Sequence, residues 1–209
     1  MGTINRFCLE EIPLKHSLST FIETGTYKCD GLRSAMRSGF GELHSIEIDP
    51  EFYFSAAREF STQPHVFIHL GDSHIVLPQI LQHSLTEYPA LFWLDAHFPF
   101  ADSGKVSYGH ESNNLKRMPI LQELDAIINS RSNISDIIII DDLRCFTDDD
   151  RIPANSFDVH MASLGARGLG CTRETVVGVT LMDILNLTNK FYNHHLVFQD
   201  EGYIILSKN

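Results

Sequence analysis

Cysteine is scarce in this chain and scattered. Cys8, Cys29, Cys145 and Cys171 are the only four in 209 residues, and no two form a CxxC pair. Structural zinc and a disulfide framework are therefore not expected, and a reducing, cytoplasmic setting is. Long apolar runs are also lacking. No stretch approaches the roughly 20 residues needed to span a bilayer, and the opening MGTINRFCLEEIPLKHS carries charges where a signal peptide needs its apolar segment. Positive charge is in deficit, with 16 Lys and Arg against 27 Asp and Glu, a net charge of −11. That imbalance repels phosphate backbones and anionic surfaces, so neither nucleic acid nor a membrane is an expected partner. Repeats, low-complexity tracts and long Pro/Ser linkers are missing as well. What is left is an ordinary globular composition, of a length that fits one domain over residues 1–209. It leaves room for a homo-oligomer without specifying one.

Strand-like and helix-like segments alternate along the chain. The strand runs are Thr20–Thr24, Leu43–Ile48, Val66–Leu70, Leu91–Leu94 and Ile137–Ile140. Helical patterns fall at Gly31–Ser38, Pro50–Phe60, Ser73–Ser84, Pro119–Asn129 and Thr180–Phe191. Proline followed by glutamate opens the second of these in the manner of a helix start. Ile137–Ile140 is apolar on both faces, as a central parallel strand must be. His195–Gln199 and Tyr203–Ser207, joined through Asp200-Glu201-Gly202, read as a terminal hairpin. The alternation predicts an α/β, Rossmann-like, mostly parallel sheet with helices on both faces, and the hairpin places one antiparallel strand at its edge. Phe98–Arg117 and Leu143–Val179 are long, polar and without clear period. Long loops of that kind are candidates for substrate-binding segments or lids.

An open parallel sheet holds its ligands outside the carboxyl ends of its strands. Three strand ends here carry chemistry. The first runs through Glu23 and Thr24 into a glycine turn, Gly25-Thr26-Tyr27-Lys28-Cys29-Asp30-Gly31, where the backbone can approach a ligand closely and a helix begins. With two glycines this is not G-x-G-x-x-G, which argues against a nicotinamide oxidoreductase. The fourth strand ends in Asp95-Ala96-His97 and the fifth in Asp141-Asp142. Like charges brought together stay ionised only with a cation between them, and carboxylates plus water suit Mg²⁺. His97, two residues past Asp95, is a candidate general base or metal ligand. Glu47 closes the second strand about 20 residues after the glycine turn, where an acid can accept both ribose hydroxyls. Asp72 and Ser73 close the third strand. They are read either as an adenine-edge contact or, for Ser73, as the cap of the next helix. Asp49 reads as a cap, Asp148–Asp150 as a solvated loop, and Cys29, with no histidine nearby, not as a nucleophile.

Taken in order, ETGTYKCDG, IEID, GDS, LFWLDAH and IIIIDDLR resemble the class I S-adenosylmethionine-dependent methyltransferases over nearly the whole chain. They are similar in particular to the metal-dependent O-methyltransferases of the catechol and macrocin types and to small bacterial methyltransferase-like proteins. The resemblance implies a seven-stranded sheet, six strands parallel and one antiparallel. It also implies S-adenosylmethionine as methyl donor, Mg²⁺ or another divalent cation as cofactor, and a hydroxyl of a small molecule or sugar as acceptor. By the same resemblance the turn of Glu23, Thr24, Gly25, Thr26, Tyr27 and Gly31 binds the methionine end and Glu47 the ribose. Asp95, Asp141 and Asp142 would hold the metal. Two departures stand out: Thr26-Tyr27 replaces the usual second glycine pair, and no lysine follows closely behind Asp95. His97 takes the place of that lysine as the expected base. A non-catalytic nucleoside-binding protein of the same fold is the alternative.

Overall fold

The computed structural model describes residues 4, 7–8, 17–83, 88–101, 103–107, 110–147, 149, 151–152 and 178–209. In chain order the elements are β1 (Thr20–Thr24), α1 (Asp30–Arg37), β2 (Glu42–Glu47), α2 (Pro50–Glu59), β3 (Val66–Leu70), α3 (Ser73–His83) and β4 (Ala90–Leu94). After them come α4 (Asn114–Arg117), α5 (Ile120–Arg131), β5 (Ile137–Ile140), a 3-10 turn at Leu143–Cys145, α6 (Leu181–Thr188), β6 (Tyr192–Val197) and β7 (Tyr203–Lys208). Most predicted boundaries hold to within one or two residues. The larger differences are in α6, which ends three residues early, and in β6, which begins three residues early. The stretch Phe98–Arg117, read as loop, contains the short α4, capped by the Asn113 side chain on Leu115 N–H. Most of the second long stretch, 153–177, and residues 148 and 150 of the expected solvated loop lie outside the described residues.

The seven strands form one sheet in the order β3-β2-β1-β4-β5-β7-β6. Strands β1 to β5 pair in parallel, and β7 is antiparallel to both of its neighbours. Six strands therefore run one way and one against them, as expected. The antiparallel strand, however, is not at the edge: β7 lies between β5 and β6. Burial explains the order. Tyr203, Ile204 and Leu206 of β7 are fully buried, and they cover Ile137–Ile140, which is apolar on both faces. β6, with Asn193, His194 and His195, is the more polar strand and takes the outer place, where its polar side chains meet solvent.

The sheet separates two apolar layers. On one face Ile22, Ile46, Phe92, Ile138 and Ile204 pack under α3, α5 and α6. On the other Phe21, Leu43, Leu91, Trp93, Ile139 and Tyr203 pack with Leu32 and Ala35 of α1 and Ala56 of α2. A buried ion pair locks the far end of α5: Arg131 grips Asp136 through Nε and Nη2, both at 2.8 Å, while Asp136 Oδ1 accepts from the Ala90 N–H. Both charges are thus paired and hydrogen-bonded, the condition for burying them. The chain leaves β1 for β2 on one side and β4 lies on the other, so a crevice opens at the carboxyl ends of β1 and β4.

On the β2–β3 side, His44 Nδ1 meets His69 Nε2 at 3.0 Å, with rings stacked 11° apart in plane and 5.3 Å between centroids. Burial holds both below the usual imidazole range, His69 at about 4, and the neighbouring His44 adds to the shift of His69. A depressed folded-state pKa means stability is present above the unfolded value and lost as pH falls through the folded one. The thermal midpoint should therefore decline between pH ~6.5, the ordinary histidine value, and about 4. His69→Gln should make that decline shallower. Equal slopes in variant and wild type would remove the pair as the acid-sensitive element.

Candidate active site

The site is built from five strand ends. At the end of β1 the Thr24 hydroxyl oxygen accepts the Asp95 and Ala96 backbone N–H groups, each at 3.3 Å, which ties the β1 turn to the β4 turn. Gly25 follows with φ +88, and a Cβ there would lie 2.9 Å from the Asp95 carbonyl oxygen. Only glycine permits this approach in this backbone conformation. Beneath the turn, Ser45 Oγ donates to Glu23 Oε1 at 2.6 Å and lies 2.5 Å from Thr26 Oγ1. A Cβ on Gly31 would stand 1.9 Å from Glu23 Oε2, so α1 begins directly over that carboxyl group. Burial above all, and then the Asp95 and Glu47 charges, raise Glu23 to about 8 against the Ser45 hydrogen bond.

Glu47, at the end of β2, accepts the Tyr27 N–H at Oε2 (2.8 Å) and the Asp49 N–H at Oε1 (2.7 Å). The two amides fix the carboxylate at the mouth of the turn. Burial raises its pKa, opposed by those same hydrogen bonds. Asp49 caps α2 as expected, its Oδ1 accepting the Glu51 N–H at 2.9 Å. Its Oδ2 accepts from Lys105 Nζ at 2.5 Å, and Lys105 also stands 5.3 Å over the Phe52 ring. At the end of β3, Asp72 Oδ1 accepts from His74 Nδ1 at 2.6 Å, while the buried Asp72 Oδ2 has no hydrogen-bond partner among the described residues. Ser73 opens α3 and is buried.

The ends of β4 and β5 supply the charged cluster. His97 Nδ1 lies 3.0 Å from the Asp95 carbonyl oxygen and 3.4 Å from Asp95 Oδ1, and Nε2 lies 2.7 Å from Asp142 Oδ2. Because a carbonyl oxygen only accepts, the Nδ1 contact places a proton on Nδ1. Nε2 then faces a carboxylate at 2.7 Å, a separation that a second proton bridges unless a cation bound to the side of both atoms takes its place. Among the described residues, Asp95, His97 and Asp142 form the one group of donor atoms compact enough to hold a metal ion, all within 4.8 Å of one another. Asp141 lies beside this group and is buried, with Oδ1 accepting the Asp142 N–H at 2.7 Å. Desolvation first, then the Asp95 and Asp142 charges, push its pKa well above the usual carboxylate range. Asp142 sits in the left-handed region at φ 56 and pairs through Oδ1 with Arg144 Nη2 at 2.9 Å. The turn between β6 and β7 supports this corner, Arg144 N–H donating to the Glu201 carbonyl and Leu143 N–H to the Gly202 carbonyl.

These groups face a single cavity of about 350 Å³. Gly25, Tyr27, Glu47, Asp72, Ser73, Asp95, His97, Asp141 and Asp142 all line it. Glu23, Thr24, Thr26 and Gly31 are absent from its lining and lie beneath the turn, which they hold in shape. The compact metal-competent group differs from the expected trio, since His97 enters it and Asp141 stands alongside. Phe52, Phe100, Lys116, Arg144 and Cys145 also line the cavity and did not stand out in the sequence. Lys105 and Glu123, which support it, were also missed. For Glu123 a signal existed: with Ile120, Leu124, Ile127 and Ile128 it falls on the i, i+3, i+4 stripe that a helix buries. No helix among the described residues is long and apolar enough to cross a membrane.

No protein-family model matches the chain, and no curated protein matches it by sequence. Solved structures do. A Staphylococcus aureus protein assigned as a caffeoyl-CoA O-methyltransferase matches with a TM-score of 0.63 at 11% identity, over 100% of this chain and 85% of that one. The O-methyltransferase TomG of Streptomyces achromogenes, in complex with SAM, matches with 0.54 at 13% identity, over 96% and 78%. The Bacillus cereus O-methyltransferase in complex with SAH matches with 0.54 at 12% identity, over 96% and 79%. At these identities the likeness is one of architecture, and the order and direction of the seven strands agree with it: the chain has the Rossmann-like fold of the class I S-adenosylmethionine-dependent methyltransferases, close to that of the O-methyltransferases.

Proposed function

We propose that the protein transfers a methyl group from S-adenosylmethionine to a hydroxyl oxygen of a small molecule or sugar, with a divalent cation bound among Asp95, His97 and Asp142. The observation that carries this reading is one cavity bringing together a nucleoside-type wall and a charged cluster. Glu47 presents a carboxylate pinned by two amides, suited to two ribose hydroxyls. Asp72 Oδ2, buried and without a partner among the described residues, suits a donor such as an exocyclic amine, since an orphaned buried acceptor costs about 1–3 kcal/mol until it is satisfied. Gly25 lets the backbone come close to the methionine end.

The cluster fits a metal on its donor set. The Nδ1–H of His97 is held by the Asp95 carbonyl, so in the neutral ring it is Nε2, against Asp142 Oδ2, that carries the lone pair, the arrangement in which histidine ligates. Asp95 and Asp142 add hard oxygens, and Asp141 stands as a further carboxylate that a nearby cation would favour in its ionised form. An imidazole in the set suits a transition-metal dication such as Zn²⁺ better than Mg²⁺, which prefers oxygen ligands throughout. A cation there would polarise an acceptor hydroxyl and lower its pKa. The chain itself does the remaining work. Thr24 fixes the β4 turn, Arg144 orients Asp142, the aromatic wall excludes water, and the groups hold the acceptor in line with the donor, which is most of what a displacement requires. If Nε2 stays off the cation, His97 is instead the candidate to take the hydroxyl proton, since with Nδ1 protonated one ring cannot both ligate and act as base. Net charge and scattered cysteines support a small acceptor and a cytoplasmic setting over a nucleic acid or a membrane surface.

The test is methyl transfer to vicinal-diol sugars and catechols, read as S-adenosylhomocysteine formed, with and without a chelator. Metal-dependent turnover is expected. Binding of S-adenosylhomocysteine without turnover on any acceptor, with or without metal, would make the chain a nucleoside-binding protein instead. Within the same reading, Glu47→Ala should weaken S-adenosylhomocysteine roughly ten- to a hundredfold, because hydrogen bonds to a charged group contribute about 1.5–3 kcal/mol. Calorimetry giving equal affinities would take Glu47 out of the ribose site.

A further inference from the structure

We propose that Lys105 is a positioning residue that ties the segment after β4 to the start of α2 and so holds two walls of the cavity together around its ligand. The choice of ligand in the test rests on the methyl-transfer reading, whereas the tie itself does not. Lys105 Nζ donates to Asp49 Oδ2 at 2.5 Å and to Glu51 Oε2 at 2.8 Å. The ammonium also stands 5.3 Å over the Phe52 ring, whose face attracts a cation. These partners lie more than 50 residues earlier in the chain, all at the start of α2. Asp49 is a fixed anchor: its side chain is 6% exposed, and its other oxygen caps the helix.

The segment that Lys105 holds has need of an anchor. Phe98 and Phe100 both lie in the left-handed region, with φ 44 and 66. A bulky side chain rarely adopts that conformation, which persists only where the surroundings impose it. Phe98, Phe100 and Ser103 line the cavity on one side, and Asp49 and Phe52 line it from α2. The Phe100 carbonyl accepts the Lys105 N–H at 3.1 Å and the Ser103 hydroxyl at 2.8 Å. The Lys105 backbone thus fastens the Phe100 turn, and its side chain fastens that turn to α2. Parting the two walls breaks both ion pairs at once, so ligand release is coupled to a contact that salt screens.

The variants are Lys105→Met, which keeps the apolar stem and loses the charge, and Lys105→Arg, which keeps the charge. The ligand is S-adenosylhomocysteine, and the readout is its dissociation rate from the full chain. Lys105 is 38% exposed and Glu51 77%, so the effect is modest: Lys105→Met should release the ligand roughly three- to fivefold faster at low salt. Lys105→Arg should restore most of the wild-type rate. The gap between wild type and Lys105→Met should close from about 0.01 M to about 1 M salt, as the screening length falls from roughly 30 to 3 Å. Glu51→Gln should act in the same direction, and combined with Lys105→Met it should add little, as two members of one contact do. In turnover, KM for the methyl donor should rise while kcat holds. Equal dissociation rates in wild type and Lys105→Met, or a gap that salt leaves unchanged, would overturn the proposal. A wild-type chain that binds no S-adenosylhomocysteine would overturn the cofactor reading instead. Amide exchange at Ala101 and Gly104, bonded to Phe98 and Ala101 within the same segment, then decides the tie: several-fold faster exchange in Lys105→Met supports it, and equal exchange overturns it.

Discussion

Asp142→Asn is expected to lower metal-dependent turnover on the order of 10²- to 10³-fold, because a Lewis-acid cation contributes several kcal/mol of charge stabilisation and each ~1.4 kcal/mol is a factor of ten in rate. The substitution is chosen for the backbone. Asp142 has φ 56, a region asparagine tolerates well, and an amide oxygen can still stand against Arg144 Nη2. Shape and the Arg144 contact are therefore kept while one negative charge leaves the cluster. Affinity for S-adenosylhomocysteine should hardly change, since Glu47, Gly25 and Asp72 are untouched. Steady-state rates at increasing Mn²⁺ or Mg²⁺ give the check: the variant should need much more metal and reach a lower plateau. Wild-type rates in the variant, or full wild-type activity in excess EDTA, would sink the metal-assisted mechanism and leave the fold assignment intact.

His97→Ala is expected to lower kcat by about 10²- to 10⁴-fold, the usual worth of a positioned general base. His97 touches both carboxylates of the cluster, Asp95 through Nδ1 and Asp142 through Nε2. Its removal thus deletes either a proton acceptor or a metal donor, because Nδ1 carries a proton and the single Nε2 lone pair serves one role. A metal titration separates these roles. If His97 is chiefly the base, kcat falls while metal affinity stays near wild type. If it is chiefly a ligand, metal affinity falls and excess metal recovers part of the rate. An unchanged kcat at saturating metal would place the ring outside the chemistry.

The distribution of acidic residues at strand ends was legible in the sequence because the β-α alternation fixes which end of each strand faces the crevice. Asp95, Asp141 and Asp142 could be placed together on that ground alone. What the sequence could not supply was their mutual geometry. Asp141-Asp142 is a pair of equivalent letters, yet the left-handed backbone at Asp142 turns its carboxylate to His97 and Arg144, while Asp141 is buried against the Asp142 amide. The glycine turn was legible as a turn, but its division of labour was not. Glu23 and Thr26 interact with Ser45, 22 and 19 residues away, and such cross-strand bonds leave no periodic trace. The hairpin was legible from its turn, whereas the place of β7 inside the sheet follows from which strand buries more apolar surface. That depends on the β5 neighbour as well as on the hairpin itself.

The central claim is that this cavity is built for S-adenosylmethionine, and a calorimetric titration of the full chain with S-adenosylhomocysteine tests it most directly. One site per chain is expected, with affinity near or below ~1 μM, about 8 kcal/mol of binding free energy, and with NAD failing to compete. No detectable heat at millimolar S-adenosylhomocysteine, or displacement of it by NAD, would contradict the claim.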